Sequence, residues 1–396
     1  MGTMLTRPSG HRRDIVLRPA ATAMVFIAEG QPHEMIAVPG VALGDGEVLV
    51  AVELSAICGS DVDAYEGHRP SPTPLILGHE SVGRVIALGD SGATATDGLA
   101  LRIGDRVVWS TSASCGSCEL CLRGMPQKCR SLSKYGHDRI GANGELTGAF
   151  GSHMHLRQGT AIVRVPETLP ASVLAPASCA TATAWAAVAR ATRHRDLEGA
   201  RMRIYGAGLM GLSAAAIAAE RGAHVEVLDP DPERRARAWR WIGAGSDAAG
   251  SDAAKPDVEA HRDRADGAER AYRPGVAHGG TIAPDVVIEA SGAFVAEALD
   301  AVATGGIVVL AGSTFPAHRV PVDAESLTRR LVTVAGVQGS TGAELAEAVA
   351  FLAGRGRAYP FEDAVGAVRP LAAIDDALTE ASASGGPLRI GIAPGH

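Results

Sequence analysis

The sequence carries a glycine-rich turn at residues 205–211, which read Tyr205-Gly206-Ala207-Gly208-Leu209-Met210-Gly211. The turn has the spacing G-x-G-x-x-G, follows a predicted strand and opens an alanine-rich predicted helix. Gly206 permits the tight turn, Gly208 lets a pyrophosphate approach the backbone, and Gly211 allows the helix to pack closely on the strand. The helix N-terminus then faces the phosphates, so the pattern predicts a dinucleotide-binding βαβ unit in which this whole turn, Leu209 and Met210 included, contacts the coenzyme.

Asp229 indicates which dinucleotide is bound. It ends the next predicted strand, 23 residues after Gly206, where an acid can bind the adenosine ribose 2′-hydroxyl. A carboxylate there would repel a 2′-phosphate, which favours NAD over NADP. Arg234 and Arg235 favour NADP instead, because a guanidinium can bind that phosphate. The exposed face of a helix explains the two arginines at least as well.

Strands and helices alternate on both sides of this turn. The predicted strands are Arg201–Tyr205, Val225–Leu228, Val286–Glu289 and Ile307–Ala311. Such alternation is typical of right-handed βαβ units and a parallel sheet. The first ~180 residues instead show short β-branched runs between glycine-rich turns, which predict a mostly β domain.

Two segments lie outside this scheme. Residues 1–20 are polar and contain prolines. A secretory leader would need Ala20–Ala28 as its apolar core, but that stretch is short and no small-residue cleavage site follows it, so we expect a flexible extension. Residues 245–284 are polar and irregular, and we expect a surface elaboration that contains a helix.

Composition excludes several classes of protein. The 396 residues include 37 basic and 44 acidic side chains, for a formal charge of −7, and no basic block points to a nucleic-acid partner. No apolar run reaches the roughly 18 residues that a membrane span requires. Six cysteines are too few for a disulfide scaffold in so long a chain, so their placement becomes informative.

Four of the cysteines form a compact motif. Cys115, Cys118, Cys121 and Cys129 are spaced C-x2-C-x2-C-x7-C. Two-residue gaps let tight turns point successive thiolates inward, as a tetrahedral structural zinc requires. The bacterial iron–sulfur signature ends in a three-residue gap and a proline, whereas Arg130 follows the last cysteine here. The spacing therefore predicts a structural zinc site.

The remaining cysteines, Cys58 and Cys179, are far apart in the sequence, and His79 and Glu80 lie between them. Each alone would be interpreted as an ordinary buried side chain. Two thiolates and one imidazole are, however, a ligand set of catalytic zinc, which keeps a fourth position open for a substrate oxygen. Spacing alone does not establish this site, because distant ligands carry no local signature.

Together these motifs resemble the zinc-dependent medium-chain alcohol dehydrogenase family over nearly the whole chain. The resemblance rests on the four-cysteine motif, Cys58-Gly59-Ser60-Asp61, Gly78-His79-Glu80, Cys179-x3-Thr183 and the turn at residues 206–211. It implies an α/β plus β fold with two domains. A GroES-like catalytic domain would comprise residues 1–182 and 338–396, and an inserted Rossmann domain residues 183–337, with the active site in the cleft.

The resemblance also implies a set of metal ligands. Cys58, His79 and Cys179 would hold a catalytic zinc, so that each chain binds two zinc ions, one catalytic and one structural. Glu80 would lie beside the catalytic zinc as a neighbouring or alternating ligand, and Asp61 would orient the His79 imidazole.

Further roles follow from the same resemblance. Ser60 would accept the proton of the alcohol, Thr183 would lie near the nicotinamide, and Arg389 would reach the pyrophosphate. Many relatives carry a histidine five residues after the first cysteine as the outer proton relay, where this chain has Asp63. We therefore expect the last relay step to run through Asp63 or bulk water.

Within the family, residues 126–137, 159–166 and 178–183 are similar to the phosphonate-associated alcohol dehydrogenases. A phosphonate needs cationic donors near the zinc. The candidate substrate residues are His68, Arg69, Lys134 and His137, together with Thr111, which stands where many relatives carry a large aromatic side chain.

We therefore expect an NAD-linked enzyme that oxidises a small hydroxyalkylphosphonate or reduces its aldehyde, with no nucleic-acid or membrane partner. All six cysteines are assigned to metal, which favours the cytoplasm, and the family implies a homodimer or homotetramer. A polyol, sugar or amino-alcohol dehydrogenase of the same family is one alternative. The other is a non-catalytic zinc- and nucleotide-binding regulator, which one zinc per chain would favour.

Overall fold

The computed structural model describes residues 12–141, 144–248, 282–313, 319–383 and 385–395. The chain divides into two compact units, which are residues 1–186 with 338–396 and residues 187–337. The domain bounds expected from the sequence, at residues 182 and 337, stay a prediction.

The strands of the described residues are β1 (Arg13–Val25), β2 (Glu34–Leu43), β3 (Val48–Ala56), β4 (Glu80–Leu88), β5 (Arg106–Ala113), β6 (Ser133–Lys134), β7 (His153–Leu156), β8 (Thr160–Arg164), β9 (Arg201–Tyr205), β10 (His224–Leu228), β11 (Val286–Glu289), β12 (Ile307–Leu310), β13 (Thr333–Gly336), β14 (Val365–Pro370) and β15 (Arg389–Ala393).

The α-helices are α1 (Gly59–Tyr65), α2 (Glu119–Leu122), α3 (Ala171–Leu174), α4 (Ala180–Thr192), α5 (Leu209–Ala219), α6 (Pro232–Ala248), α7 (Val295–Ala301), α8 (Ala324–Arg329), α9 (Gly342–Ala353) and α10 (Ile374–Ser382). Short 3-10 helices cover Pro126–Lys128, Ala175–Ser178, Arg355–Ala358, Phe361–Ala364 and Leu371–Ala373. Within the described ranges, no single helix is long and apolar enough to cross a membrane. The bent pair formed by Ala171–Ser178 and α4 reaches that length and apolar composition only when its two members are counted together.

The second unit is built on a parallel sheet with the strand order β10-β9-β11-β12-β13. The predicted parallel sheet is therefore confirmed, and β9 and β11 match their predicted bounds. Strand β13 was not predicted, because its sequence Thr-Val-Ala-Gly has only four residues, none of them fully buried, and ends in the weak strand formers alanine and glycine. The register aligns Tyr205 with Leu228 and Glu289, so the glycine-rich turn leaves the sheet at its carboxyl edge.

The first unit is mostly β, as predicted. Its larger sheet has the order β14-β15-β3-β4-β5-β6, with β7 added to β3 and β8 added to β5. Trp109, Tyr135 and Phe150 are among its largest fully buried side chains. A separate two-stranded ribbon pairs β1 with β2.

Two sequence expectations need correction. Residues 1–20 do not form one flexible extension, because β1 begins at Arg13 and pairs with β2 at residues 13–16 and again at residues 21–25. Within this segment, residues 1–11 lie outside the described ranges. The segment expected to be irregular from residue 245 is helical as far as Ala248, where α6 ends, and residues 249–281 lie outside the described ranges.

A buried carboxylate, Glu47, ties the start of β3 to β7. Its Oε2 atom lies 2.9 Å from Nε2 of His155 and accepts a 2.7 Å hydrogen bond from the backbone N–H of Gly44. Burial alone would raise the pKa of Glu47, but these hydrogen bonds outweigh it and lower the pKa to about 2. The ionised form therefore stabilises the folded protein.

We predict that Glu47→Gln lowers the free energy of unfolding at pH 7 by about 2 kcal/mol. Because the pKa of Glu47 is lower in the folded than in the unfolded chain, its contribution is complete above pH ~4.5 and is lost as the pH falls towards ~2. Urea unfolding of both proteins should therefore show a difference at pH 7 that shrinks at pH ~3.5.

The exposed Glu34→Gln is the matched control, and it should change stability little at either pH. A difference between wild type and Glu47→Gln that is the same at both pH values would contradict the prediction.

Candidate functional site

The structure brings four distant side chains together in the first unit, and we call them the mixed-ligand cluster: Cys58, His79, Glu80 and Cys179. Cys58 immediately precedes α1, and Cys179 immediately precedes α4. Glu80 is the first residue of β4, and His79 lies just before it. One potential ligand atom of each lies within 4.8 Å of all the others.

The donor set of this cluster fits a metal ion. Two thiols and an imidazole match zinc, and bonds of about 2.0–2.3 Å place zinc ligands about 3.3–3.8 Å apart. A hydrogen bond from Cys179, with the charges of Arg389 and His79, lowers the pKa of Cys58 against the opposing effect of burial. The thiolate is the form that binds metal.

Asp61 holds two ligand segments in place. Its Oδ2 atom accepts a 2.9 Å hydrogen bond from the N–H of Cys58, and its Oδ1 atom accepts a 3.1 Å bond from the N–H of Gly78. The same Oδ1 atom lies 3.4 Å from Nδ1 of His79. Burial acts to lower the pKa of His79, yet Asp61 and Cys58 raise it well above its usual value. The pocket therefore favours positive charge at the imidazole, which a bound cation would supply.

Glu80 is completely buried and paired with Arg389 of β15. The guanidinium donates 2.7 Å and 2.9 Å hydrogen bonds to the two carboxylate oxygens, and its Nη2 atom lies 3.8 Å from Sγ of Cys58. Burial raises the pKa of Glu80 while Arg389 acts to lower it. In this structure Arg389 is thus engaged at the mixed-ligand cluster, and its expected contact with a pyrophosphate stays a prediction.

Ser60 and Asp63, the residues expected in proton transfer, lie in different surroundings. The Ser60 hydroxyl is 3.5 Å from Nε2 of His79, so it stands directly beside a ligand atom. Asp63 instead faces His68, with 3.9 Å between Oδ1 and Nδ1. The His68 side chain also lies close to Glu66 and is 69% exposed. His68 therefore has two acidic neighbours and is largely accessible to solvent.

The turn formed by residues 134–137 packs directly against the mixed-ligand cluster. Gly136 makes this possible, because a Cβ atom there would lie 2.5 Å from the carbonyl oxygen of Gly78. The His137 ring consequently lies 5.0 Å from the His79 ring, in an edge-on arrangement. The carbonyl of Thr111 accepts a hydrogen bond from the N–H of Tyr135, which anchors the turn to β5.

His137 is an electrically neutral neighbour of the cluster. Its Nδ1 atom lies 2.9 Å from the carbonyl oxygen of Tyr135. Because a carbonyl only accepts, Nδ1 carries the proton and Nε2 offers a lone pair. Burial and the charges of His79 and Arg69 lower the pKa of His137 to about 4.

The four-cysteine cluster forms the second candidate metal centre: Cys115, Cys118, Cys121 and Cys129. Its sulfur atoms are 3.4–4.0 Å apart in the pairs 115–129, 118–121, 118–129 and 115–121. Zinc–sulfur bonds of about 2.3 Å give a tetrahedron with edges of about 3.8 Å, whereas a disulfide needs about 2.05 Å. The geometry therefore fits one tetrahedral metal ion.

Backbone amides point at these sulfur atoms. The N–H of Cys118 donates to Sγ of Cys115 over 3.3 Å, and the N–H groups of Cys115 and Ser131 donate to Sγ of Cys129. Hydrogen bonds from Ser117 and Cys118 lower the pKa of Cys115 to about 6. Such donors stabilise thiolates before a metal arrives.

In the second unit, the glycine-rich turn has the predicted geometry. Gly206 has φ of 103°, and a Cβ atom on Gly211 would lie 1.9 Å from the carbonyl oxygen of Gly206. Nothing lies within 4 Å of the Cβ position of Gly208, the residue that caps α5. The Leu209 side chain is buried, the Met210 side chain is half-buried, and both are apolar. The polar groups that this turn can offer to a ligand are therefore those of its backbone.

Asp229 lies beside this turn. One carboxylate oxygen accepts a 2.8 Å hydrogen bond from the N–H of Ala207, and the other accepts a 3.0 Å bond from the N–H of Asp231. Arg235 donates to the carbonyl oxygens of Asp229 and Pro230, while Arg234 lies 3.9 Å from Asp231. Both arginines are therefore engaged at the start of α6.

Comparison with known proteins identifies the family. Residues 44–167 match the alcohol dehydrogenase GroES-like domain, and residues 210–354 match the zinc-binding dehydrogenase domain. The L-threonine 3-dehydrogenase of Streptomyces coelicolor is 32% identical over 311 residues, which cover 76% of this chain and 79% of that protein. The chain belongs to the zinc-type medium-chain alcohol dehydrogenase family.

Two further proteins, one compared by sequence and one by structure, are also similar to this chain. The L-galactonate-5-dehydrogenase of Escherichia coli is 31% identical, but the match covers only 54% of this chain and 58% of that protein. An alcohol dehydrogenase from Thermotoga maritima has a similar structure, with a TM-score of 0.79 and 26% identity over 95% of this chain and 99% of that one. The expected combination of a GroES-like domain with a Rossmann domain is confirmed, and the protein is an oxidoreductase.

Sequence reasoning missed how the mixed-ligand cluster is held. It did not foresee the Gly78–Gly136 contact, nor the bond from the Ser178 hydroxyl to the carbonyl oxygen of His79. The only available signal for Ser178 was its place next to Cys179. Thr183 is buried on α4, where its N–H donates to the carbonyl oxygen of Cys179.

We predict that Gly136→Ala destabilises the protein far more than Gly98→Ala. Both glycines have positive φ, but a Cβ atom at residue 98 meets nothing within 4 Å. Gly98→Ala should therefore cost about 1 kcal/mol of backbone strain, and Gly136→Ala about 2 kcal/mol more because the turn must move away from Gly78. Urea unfolding measures the free energy of unfolding of both variants. Equal losses of this free energy would contradict the close approach of residue 136 to Gly78.

We also predict that the two clusters bind zinc independently. Elemental analysis of the purified protein should give about two zinc ions per chain, and about one for either Cys115→Ala or His79→Ala. Cys115→Ala should lower the thermal midpoint more than His79→Ala, because closed four-cysteine sites contribute folding free energy. Two zinc ions in either variant, or an unchanged midpoint for Cys115→Ala, would contradict the assignment.

Proposed function

We propose that this oxidoreductase transfers hydride between the carbinol carbon of a small alcohol and NAD. The observation that carries the proposal is the convergence of Cys58, His79 and Cys179 with the Ser60 hydroxyl beside them. This arrangement would hold a cation with two soft ligands and an imidazole and would keep a proton acceptor at its edge. A purely structural metal site needs no such acceptor.

The proposed metal ligands are Cys58, His79 and Cys179, with Glu80 as the adjacent carboxylate. A zinc ion bound there supplies Lewis acidity, which lowers the pKa of an alcohol hydroxyl. Asp61 is proposed to orient His79, whose Nδ1 atom lies 3.4 Å from its Oδ1 atom, and it accepts hydrogen bonds from the loops of Cys58 and Gly78. The pair formed by Glu80 and Arg389 compensates two buried charges next to these ligands.

The proposed proton path begins at Ser60. Its hydroxyl accepts the proton of the substrate alcohol and passes it on by donating its own. Asp63, at the position of the usual relay histidine, is proposed to take part in the last step. Burial raises the pKa of Asp63, which makes this carboxylate a better proton acceptor than a fully solvated one.

The proposed NAD site lies on the glycine-rich turn. The N-terminus of α5 and the open space at Gly208 provide amide donors for a pyrophosphate. Asp229 uses one lone pair on each oxygen for backbone amides, and a carboxylate has about four, so two remain for ribose hydroxyls. Thr183 and Arg389 are proposed at the nicotinamide and the pyrophosphate, and Arg234 near the adenosine ribose.

The proposed substrate is a small hydroxyalkylphosphonate. Support comes from basic side chains near the mixed-ligand cluster, Arg69 and Lys134, and from the small Thr111 on β5. A hydroxylated carboxylic acid, as in an amino-alcohol or sugar-derived substrate, is the second candidate. It is favoured by the two relatives named for L-threonine and L-galactonate.

The proposed assembly is a homodimer or homotetramer in the cytoplasm. The edge strand β13 exposes Val334 in the second unit, where a second copy could extend the sheet. Both cysteine clusters would carry reduced thiolates, which suits a reducing compartment.

The decisive experiment is steady-state formation of NADH or NADPH across a panel of alcohols. We expect hydroxymethylphosphonate or hydroxyethylphosphonate to give a kcat/KM at least tenfold above ethanol and sorbitol, and NAD to be preferred over NADP. Ser60→Ala should reduce kcat by about 10²–10⁴ with zinc content unchanged. Preference for ethanol or sorbitol would refute the phosphonate as the substrate. Absence of turnover with any alcohol in the zinc-loaded protein would refute the proposed dehydrogenase activity.

A further inference from the structure

Glu289, the last residue of β11, is completely buried in the second unit. Its Oε1 atom accepts hydrogen bonds from the N–H and the hydroxyl of Ser291, over 3.0 Å and 2.5 Å. The N–H of Gly292 donates to both carboxylate oxygens, over 2.8 Å and 2.9 Å. All of these partners donate, so the carboxylate acts only as an acceptor, as its ionised form does.

This buried carboxylate has no cation beside it within the part of the chain that the structure describes. There, its side chain forms no ion pair, and its hydrogen bonds all come from residues 291–294, the loop that follows β11. Burial of a carboxylate without a counter-ion costs free energy unless hydrogen-bond donors surround it. Glu289 therefore constrains this loop, whose N–H groups must stay turned towards the carboxylate.

The loop at residues 291–294 is in direct contact with the glycine-rich turn. A Cβ atom on Gly206 would lie 3.0 Å from the Cβ atom of Ser291 and 3.2 Å from its backbone nitrogen. The N–H of Ala290 donates a 2.8 Å hydrogen bond to the carbonyl oxygen of Tyr205, which immediately precedes the turn. A displacement of Ser291 would therefore displace Gly206 as well.

The segment after β12 packs against the same loop. A Cβ atom on Gly312 would lie 2.3 Å from the backbone nitrogen of Gly292. The N–H of Gly312 donates a 2.8 Å hydrogen bond to the carbonyl oxygen of Glu289. The sheet register aligns Glu289 with Tyr205 and Leu310, so these loops meet at the carboxyl edge, where parallel α/β sheets bind their ligands.

We infer that Glu289 is a positioning residue for the coenzyme. Its carboxylate holds the loop at residues 291–294 against the glycine-rich turn and thereby keeps the amides of that turn in the arrangement that binds a pyrophosphate. The inference rests on the proposed NAD site and deepens it, since it adds a buried residue that acts through the backbone. Because the N–H of Gly292 donates to both carboxylate oxygens, a glutamine in either orientation would place an NH2 group against that N–H.

The first test measures NAD binding without turnover. Calorimetry with the zinc-loaded full chain should show that Glu289→Gln weakens NAD binding by about tenfold or more, the scale of one lost charge-assisted hydrogen bond. Ser291→Ala removes one donor but keeps the Cβ atom near Gly206, so it should weaken binding by about threefold even if Glu289→Gln does not fold. Glu198→Gln is the matched control, because Glu198 is an exposed acid just before β9, at the opposite edge of the same sheet. A dissociation constant for NAD that is unchanged in both Glu289→Gln and Ser291→Ala would overturn the inference.

The second test separates positioning from a general loss of stability. Below the thermal midpoint of each variant, Glu289→Gln should raise the KM for NAD by about tenfold while the KM for the alcohol stays within about twofold of the wild-type value. A merely structural role would lower the thermal midpoint and leave both KM values unchanged, and that result would also overturn the inference.

The third test needs no coenzyme. The N–H groups of Gly206 and Ala207 are hydrogen-bonded to Leu228 and Asp229. In Glu289→Gln or Ser291→Ala their hydrogen exchange should be about tenfold faster or more, whereas exchange in β2 of the first unit should not change. Unchanged exchange at Gly206 and Ala207 would contradict the inference. If exchange is faster but the wild-type protein binds neither NAD nor NADP, the proposed function fails and Glu289 still positions this turn.

Discussion

The buried carboxylate of Asp61 is the constraint on which the mixed-ligand cluster depends. It joins the loop of Cys58 to the loop of Gly78 by two hydrogen bonds and lies 3.4 Å from the imidazole of His79. A buried carboxylate is stable only with such donors around it. The positions of two of the three proposed ligands are therefore fixed before any metal binds, which is the kind of preorganisation that a catalytic site requires.

The two metal centres reach this preorganisation in opposite ways. The four-cysteine cluster is local, since its ligands lie within residues 115–129 and backbone amides of the same loop donate to its sulfur atoms. The mixed-ligand cluster collects residues from three separate parts of the chain and adds the Arg389 guanidinium from β15. Local ligands suit a closed structural site, whereas distant ligands leave room around the metal for a substrate.

This difference explains how much could be predicted from the sequence. The four-cysteine motif and the glycine-rich turn were predictable because spacing alone determines their geometry. The ligand set of the mixed cluster was inferred from residue types and family resemblance, since the sequence separation hides its geometry. The Gly78–Gly136 approach and the Glu80–Arg389 pair depend on contacts between distant segments, which no local pattern encodes. Only the first part of β1 was taken for an extension, because residues 13–20 are mostly exposed and contain charged residues and a proline, so that their strand character depends on the pairing with β2.

The bond between Glu80 and Arg389 has a consequence for biosynthesis. As the ribosome extends the chain from its N-terminus, the four-cysteine cluster has all its ligands once residue 129 has emerged. The buried Glu80 carboxylate, however, obtains its counter-charge only when residue 389 arrives, 309 positions later. Nascent chains can thus complete the four-cysteine cluster early, while the surroundings of the mixed-ligand cluster are completed only after residue 389 has been added. A chain without β15 would leave a buried carboxylate uncompensated, which destabilises the folded protein.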